Sequence, residues 1–404
     1  MVGHTFAGPL RIESPRVPFV SQPLEWCNAQ FFDAAHLTLN LQREAVVAGY
    51  DAKDASAWNV IFIGCRPIFC DLLSFQPLER RAWWAMGQYV RHFLMPLLAS
   101  KRRGLNARDF FAMARDGLAP EQARRLLGFG AYFSRCAPLF VAAQGGDRRG
   151  KSPAARGTSS VDVADLQRFR DSLHASLAWM SDGVRPVSGA TSRSVWVDYE
   201  GNRAHYAGDS LQKKKATVAE WLRRLQPRWV ADLGCNRGEF SELAAESGAQ
   251  VISVDADHDS VQHLYRTTAA KHSVHPVLAS LDDLSGGRGW AGTEHPGLMQ
   301  RLHQQVDAVM MLALVHHLAV GASIPLAAVA AMAKACTRSH AIVEFLDEDD
   351  PQLLALCGQR DRSTAEFSRA RQRDAFVAAG FRVELEVDLA PARRSLALLR
   401  VGAR

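Results

Sequence analysis

Apolar residues recur at the three-to-four spacing of an amphipathic helix in DAAHLTLNLQREAVVAGY (residues 33–50) and ERRAWWAMGQYVRHFLMPLLAS (79–100). Two short β-like runs, NVIFI and PIFCDLL, stand between them. The first part of the chain is therefore predicted mostly helical, with one small hairpin. Further on the pattern changes to short apolar runs alternating with helical stretches. WVADLG precedes a helix over FSELAAESG, VISVDAD a helix from Asp259, and VHPVLASLDD forms a third run. VDAVMMLAL then precedes a helix from Ile324, and HAIVEFL a helix over Arg371 to Ala379. That alternation predicts βαβ units and a largely parallel sheet covered on both faces. The final runs, FRVELEVDL and SLALLRV, suit an antiparallel hairpin at the sheet edge. No internal repeat is present.

The two patterns are separated by AQGGDRRGKSPAARGTSSVD (143–162), rich in Gly, Ser, Pro and Arg and without apolar periodicity, which reads as a linker. The expected organisation is a mainly helical domain over 1–145, a linker over 146–165 and an α/β domain over 166–404. A chain of 404 residues is long enough for two such units, each burying its own core. A hydrophobic fraction of 48% against 22% charged residues removes global disorder from consideration. The seven cysteines are scattered and never form a C-x-x-C pair, which argues against a disulfide framework and a zinc site and suits a reducing cytoplasm.

The first residues, MVGHTFAGPLRIESPRV, hold no apolar run of the kind a secretion signal needs. The longest apolar segment, VDAVMMLALVHHLAVGASIPLAAVAAMAKA, is interrupted by His316, His317 and Pro325, so it reads as a buried strand and helix rather than a membrane span. No membrane partner is expected. A net charge of +6 permits nucleic-acid contact without demanding it. The basic clusters KRRG and DRRGK lack interleaved aromatics and read as solvated surface, so nucleic acid is not the favoured partner.

Candidate chemistry concentrates at RWVADLGCNRGEFSELA, Arg228 to Ala244. A strand delivers Asp232 to its carboxyl end, Gly234 and Gly238 let the backbone pass close to a ligand, and the following helix points its N-terminus at that ligand. A dinucleotide fingerprint would carry a middle glycine where Asn236 stands, and a phosphate loop would not continue into Glu239 and Phe240. Both departures tell against NAD, FAD or ATP at this turn. The segment resembles the first motif of class I S-adenosylmethionine-dependent methyltransferases, an acidic residue followed by G-x-G-x-G. Asp232, Gly234 and Gly238 match it, and Asn236 departs at the middle glycine. Since S-adenosylmethionine has no phosphate, a less open turn is acceptable.

The resemblance spans roughly Trp196 to Val401 and implies S-adenosylmethionine as cofactor. It implies that Asp255, ending VISVDAD, accepts the ribose hydroxyls, and that Asp282, with the Leu281 backbone and Asp283 as a substitute, reads the adenine. Leu312, after the fourth strand, joins the implied cofactor contacts. The implied fold class is α/β: a Rossmann-like seven-stranded methyltransferase domain in strand order 3-2-1-4-5-7-6, with a mainly helical N-terminal domain.

Methyl transfer is an in-line displacement, so the enzyme must align a nucleophile and often remove its proton. At the carboxyl end of the fourth strand stand His316 and His317, either of which suits a general base toward a hydroxyl, carboxyl or amine. The alternative is that one of them packs or caps the next helix. After the fifth strand, VEFLDEDDPQ places Glu344 at the strand end and Asp347, Glu348, Asp349 and Asp350 in an acidic loop. That loop suits a cationic substrate, a metal, or a helix cap; Asp350 before Pro351 favours the cap, and no metal is assigned. Ahead of the first strand, VWVDYEGNRAHYAGDSLQKKKATVAEWL carries Trp196, Tyr199, Tyr206, Asp209 and Lys213 to Lys215. In the family such a segment often folds over the cofactor, with aromatics against the sulfonium and a lysine toward the methionine carboxylate. The other reading is a solvated amphipathic helix with core-facing aromatics.

In the first domain, DAKDASAWNVIFIGCRPIFCDLLSF resembles the catalytic core of protein-kinase-like phosphotransferases. Asp54 and Asn59 match D-x-x-x-x-N, and Asp71 stands where D-F-G would begin; in that family they serve as base and metal ligands. AKD replaces H-R-D and DLL replaces D-F-G, and no glycine-rich loop or strand lysine precedes them. The expectation is a remnant or shortened kinase-like lobe acting as a docking surface, or a chain whose start lies upstream of Met1. An unrelated helical domain is the alternative. The whole combination is similar to a bacterial group labelled as nodulation-related methyltransferases, a label that defines no substrate. The expected function is S-adenosylmethionine-dependent methyl transfer to oxygen or nitrogen of an unidentified acceptor, small or macromolecular. Its rivals are a kinase-like phosphotransferase and a non-catalytic S-adenosylmethionine-binding module. The fourth strand lacks the N-P-P-Y type motif used on flipped bases, which lowers the standing of a nucleic-acid amine as acceptor.

Overall fold

Helix Asn28–Val47 buries Phe31, Phe32, Ala35, Leu39 and Val46 and organises the first of two units, Met1–Ser192; the second is Arg193–Arg404. The computed structural model describes residues 5–6, 12–13, 15–146, 163–186, 209–284 and 286–402. In the first unit Trp26 packs edge-on against Phe31 and Phe62, with ring centroids 5.2 and 5.1 Å apart. The expected hairpin forms from Val60–Ile63 and Arg66–Phe69, antiparallel. A second ladder pairs Tyr50–Ala52 with Phe75–Pro77.

Two expectations for this unit are corrected. The helix expected from Glu79 begins only at Met86. The preceding backbone is diverted, because the carbonyls of Arg80 and Ala82 accept from the Arg170 guanidinium at 3.1 and 2.9 Å. Trp83 meanwhile donates its indole N–H to the Ala52 carbonyl at 2.9 Å. The second correction concerns the domain boundary. Helix Val163–Gly183 belongs to the first unit, anchored by the buried Arg170–Asp51 ion pair (2.8 Å) and by Gln167 donating to the Val46 carbonyl at 3.0 Å. The division between units therefore falls after that helix, between Ser192 and Arg193, and an α/β domain beginning at 166 is too long. Most of the expected linker, 147–162, lies outside the described residues.

The second unit is a seven-stranded sheet. Its strands are β1 (Trp229–Leu233), β2 (Gln250–Asp255), β3 (Val274–Leu278), β4 (Val306–Met311), β5 (Thr337–Leu346), β6 (Phe381–Asp388) and β7 (Arg394–Val401). Their order across the sheet is β3-β2-β1-β4-β5-β7-β6, with β1 to β5 parallel and β7 antiparallel to both β5 and β6. The hairpin expected at the edge is thus inserted with β7 inside and only β6 at the rim. This is the fold of class I methyltransferases, whose cofactor is S-adenosylmethionine. Helices α1 (Ser210–Leu225), α2 (Glu239–Glu246), α3 (His258–Thr267), α4 (Leu326–Cys336), α5 (Pro351–Gln359) and α6 (Arg369–Ala378) surround it.

β1 to β5 are mostly apolar because helices cover both faces, whereas β6 at the rim alternates apolar and charged residues. Val230, Val251, Met310, Ile342 and Leu398 share one core with Trp221 and Leu222 of α1. Register places Asp232 beside Ser253 and Met310, and Asp255 beside Leu278, so the carboxyl ends of β1 to β4 finish level. In such sheets the ligand crevice opens where neighbouring connections depart in opposite directions, here between β1 and β4. Among the described residues no helix is long and apolar enough to cross a membrane.

Candidate functional site

A cavity of about 650 Å³ opens at the carboxyl ends of β1 to β4. It is built first by the turn after β1. Gly234, Asn236 and Gly238 all have positive φ (77°, 49° and 89°). Asn is among the few non-glycine residues that enter the left-handed region readily, so the departure from the glycine motif preserves the turn. Gly234 also has no room to spare, since a Cβ there would lie 3.1 Å from Leu314.

The acid after β2 fixes that turn. One Asp255 oxygen accepts from the Asn236 N–H at 2.7 Å and the other from the Asp257 N–H at 2.8 Å. A carboxylate offers about four acceptor positions, so each oxygen keeps one for a ligand hydroxyl. Burial raises the Asp255 pKa, and these two N–H groups oppose the rise. Asp232 is buried below the turn. Its carboxylate accepts from the Ser241 hydroxyl at 2.6 Å, which in turn accepts from Ser253 at 2.8 Å. Burial pushes Asp232 up to about 6; the Ser241 hydrogen bond opposes the rise and the nearby Asp255 charge adds to it.

Of the residues expected at the site, Asp232, Gly234, Asn236, Asp255, Asp282, Leu312 and His317 line this one cavity, as does Leu281. Ser280 donates its hydroxyl to Asp282. Two residues depart from expectation. Gly238 does not line the cavity; it is the N-cap of α2 at φ 89°, and a Cβ there would clash with the Leu264 side chain, so its part is in the turn. His316, the favoured histidine, is 1% exposed and also lies off the cavity, whereas its neighbour His317 faces it, the two ring centroids being 4.1 Å apart. The cause is local. Ala313 takes φ 53°, turning the chain after β4, and His317–Gly321 then forms a π-helical turn, a device frequent at functional sites.

The acidic loop is a capped and ion-paired element. Asp350 accepts from the Gln352 and Leu353 N–H groups at 2.9 and 3.1 Å, which caps α5. Asp347 pairs with Arg369, and Asp349 with Arg393. Glu344 lies within β5 and is wholly buried rather than ending the strand. It holds Lys214 at 2.5 Å and Arg394 at 3.3 Å, and Arg394 reaches Asp350 at 2.7 Å. Lys214 lines the cavity but is committed to Glu344; burial lowers its pKa and Glu344 opposes the drop. Asp209 is the N-cap position of α1, while Trp196, Tyr199 and Tyr206 lie outside the described residues. Among the described residues no group of three or more His, Cys, Asp or Glu side chains is placed to hold a metal ion.

The kinase-like positions in the first unit serve local turns. Asp54 accepts from the Ser56 N–H at 2.9 Å, and Asp71 accepts from the Leu73 N–H at 2.9 Å and the Ser74 hydroxyl at 2.6 Å. Asn59 donates to that same Ser74 hydroxyl at 3.4 Å, so Asn59 and Asp71 are brought to one point across the hairpin.

No protein-family model matches the chain. It is 29% identical over 356 residues to the nodulation protein NoeA of Rhizobium meliloti (strain 1021), covering 87% of this chain and 73% of that protein. Among solved structures, the magnesium protoporphyrin IX methyltransferase ChlM of Synechocystis PCC 6803, with bound SAH, is similar at 16% identity and a TM-score of 0.36, covering 51% of this chain and 95% of that one. The bifunctional kinase-methyltransferase WbdD is similar at 15% identity and a TM-score of 0.35, covering 49% and 40% of the two chains. The fold assignment rests on the strand order itself.

Proposed function

We propose that the second unit binds S-adenosylmethionine and transfers its methyl group to an oxygen or nitrogen acceptor. The observation that carries this is the convergence of Asp255, Asp282, the Gly234–Asn236 turn and His317 on one cavity at the β1/β4 crevice. The residues fit the cofactor. Asp255 retains two acceptor positions for a ribose diol, Asp282 with the Leu281 backbone would take the adenine edge, and Leu312 the ring face. Arg237, on the glycine turn and lining the cavity, would meet the methionine carboxylate, since Lys214 is held by Glu344. When bound, the cofactor supplies an electrophilic methyl group on a positively charged sulfur. His317 would accept the proton of the acceptor as its lone pair forms the new bond to carbon and the S–C electron pair returns to sulfur.

Calorimetric titration with S-adenosylmethionine tests the reading. Wild type is expected to bind in the micromolar range, and Asp255→Ala to lose about 100-fold or more, because two hydrogen bonds to a charged acceptor are worth about 3 kcal/mol or more together. No binding by wild type, or an unchanged affinity in the variant, would sink the assignment. ATP with magnesium, titrated separately, addresses the kinase-like alternative.

The state of Asp232 adds a pH dependence. Its raised pKa means that the free native protein holds a proton up to about pH 6. That contribution to stability is present below the ordinary carboxylate range and is lost as the pH rises through about 6. A cofactor with positive sulfonium and ammonium groups favours the ionised carboxylate. Binding should therefore strengthen as the pH rises through about 6, with proton release visible as a buffer-dependent heat. In Asp232→Asn the pH dependence should disappear; a flat wild-type profile would contradict the argument.

A further inference from the structure

Part of the cavity lining comes from elements other than the strand ends and turn assigned to the cofactor, and we propose that this part takes an acceptor that is uncharged at neutral pH, with an apolar body and a hydroxyl as the methylated group. The proposal rests on the methyltransferase reading. The residues concerned are Leu211, Phe240, Leu318, Leu356, His317 and Gln359, from α1, α2, the π-helical turn and α5. Arg360 joins the last two elements by donating to the Gly321 carbonyl at 2.7 Å, so Gln359 and His317 are carried on walls held at a fixed spacing.

Charge decides the class. The two ionised side chains at this end are both cancelled: Lys214 by Glu344, and Glu239 by Lys215. In the neighbouring loop Asp347, Asp349 and Asp350 each face an arginine, and Glu348 does not line the cavity. The exposed Asp349–Arg393 pair adds little energy, yet it still removes the field a cationic acceptor would need. The carboxylates Asp232, Asp255 and Asp282, which also line the cavity, are assigned to the cofactor, which itself carries positive charge. A charged acceptor would be desolvated here without a counter-ion, whereas a neutral one loses only apolar hydration. An alkylamine is cationic and a carboxylic acid anionic at neutral pH, so among hydroxyl, carboxyl and alkylamine acceptors the hydroxyl remains. Its proton passes to His317, its oxygen takes the methyl group, and Gln359 supplies a neutral amide for a second polar atom.

The full chain loaded with S-adenosylhomocysteine is titrated with para-ethylphenol, tyramine and para-hydroxyphenylacetate, which share one body and hydroxyl and carry a neutral, a cationic and an anionic tail. Para-ethylphenol is expected to bind about ten-fold or more tightly than either charged compound. Leu356→Asp should reverse its advantage over tyramine, with the S-adenosylhomocysteine titration of the same variant reporting that it folds. Equal or tighter binding of a charged compound by wild type, no reversal in a folded Leu356→Asp, or no binding of para-ethylphenol at millimolar concentration overturns the acceptor class alone. Failure of wild type to take up S-adenosylhomocysteine overturns the methyltransferase reading with it.

Discussion

In a His317→Ala variant, turnover of a labelled methyl donor on an acceptor that wild type methylates is expected to fall about 10²–10⁴-fold, the usual contribution of a positioned general base. Cofactor affinity should change little, because the groups proposed to hold the cofactor are on β1, β2, β3 and the Leu312 end of β4. The companion variant separates two roles that adjacency in the sequence confuses. His316 is buried off the cavity with its ring 4.1 Å from that of His317, so His316→Ala should act on stability and on the placement of its neighbour. A moderate loss of rate together with a lower unfolding midpoint is the expected pattern for it. If His317→Ala retained full turnover, or if the two variants lost rate equally with no loss of stability in His316→Ala, His317 would not be the base.

Much of this site was legible because the residues that form it are short-range in sequence. A strand, a glycine turn and an acid at the end of each following strand are local signals, and Asp232, Asp255 and Asp282 duly meet at one crevice. The choice between His316 and His317 was not legible, because it depends on the left-handed Ala313 and the π-helical turn, and neither has a composition of its own. The boundary between the units was missed for a related reason. The Gly- and Ser-rich segment marks a break in periodicity, but the helix after it returns to the first unit through Arg170 and Asp51, residues 119 positions apart. The pairing of Lys214, the lysine that lines the cavity, was equally hidden, since its partner Glu344 lies 130 positions away. One signal was available: a lone Glu in the apolar run HAIVEFL and an Arg directly before SLALLRV are costly to bury unless paired.

That pairing carries the second large expected effect. Arg394 is wholly buried between Glu344 and Asp350, and Gln352 takes another of its N–H groups at 2.8 Å. Removing it in Arg394→Ala leaves Asp350 without its buried counter-charge and Glu344 with Lys214 alone. Breaking a buried pair from one side costs about 3–5 kcal/mol, a large share of a total stability on the order of 5–15 kcal/mol. Urea unfolding should therefore show a sharply lower midpoint. Replacing both members of the adjoining pair, Lys214→Met with Glu344→Gln, should cost far less than Arg394→Ala, because no unpaired carboxylate is left facing the amide. The two outcomes bear on function through α1 and α5. Lys214 holds α1 to β5, and Asp350 caps α5, whose Leu356 and Gln359 face the cavity. If Arg394→Ala unfolded at the wild-type midpoint, the cluster would not hold these walls, and the spacing of the acceptor end would have to come from Arg360 donating to the Gly321 carbonyl and from Ala319 and Val320 packing on Leu353 and Cys357.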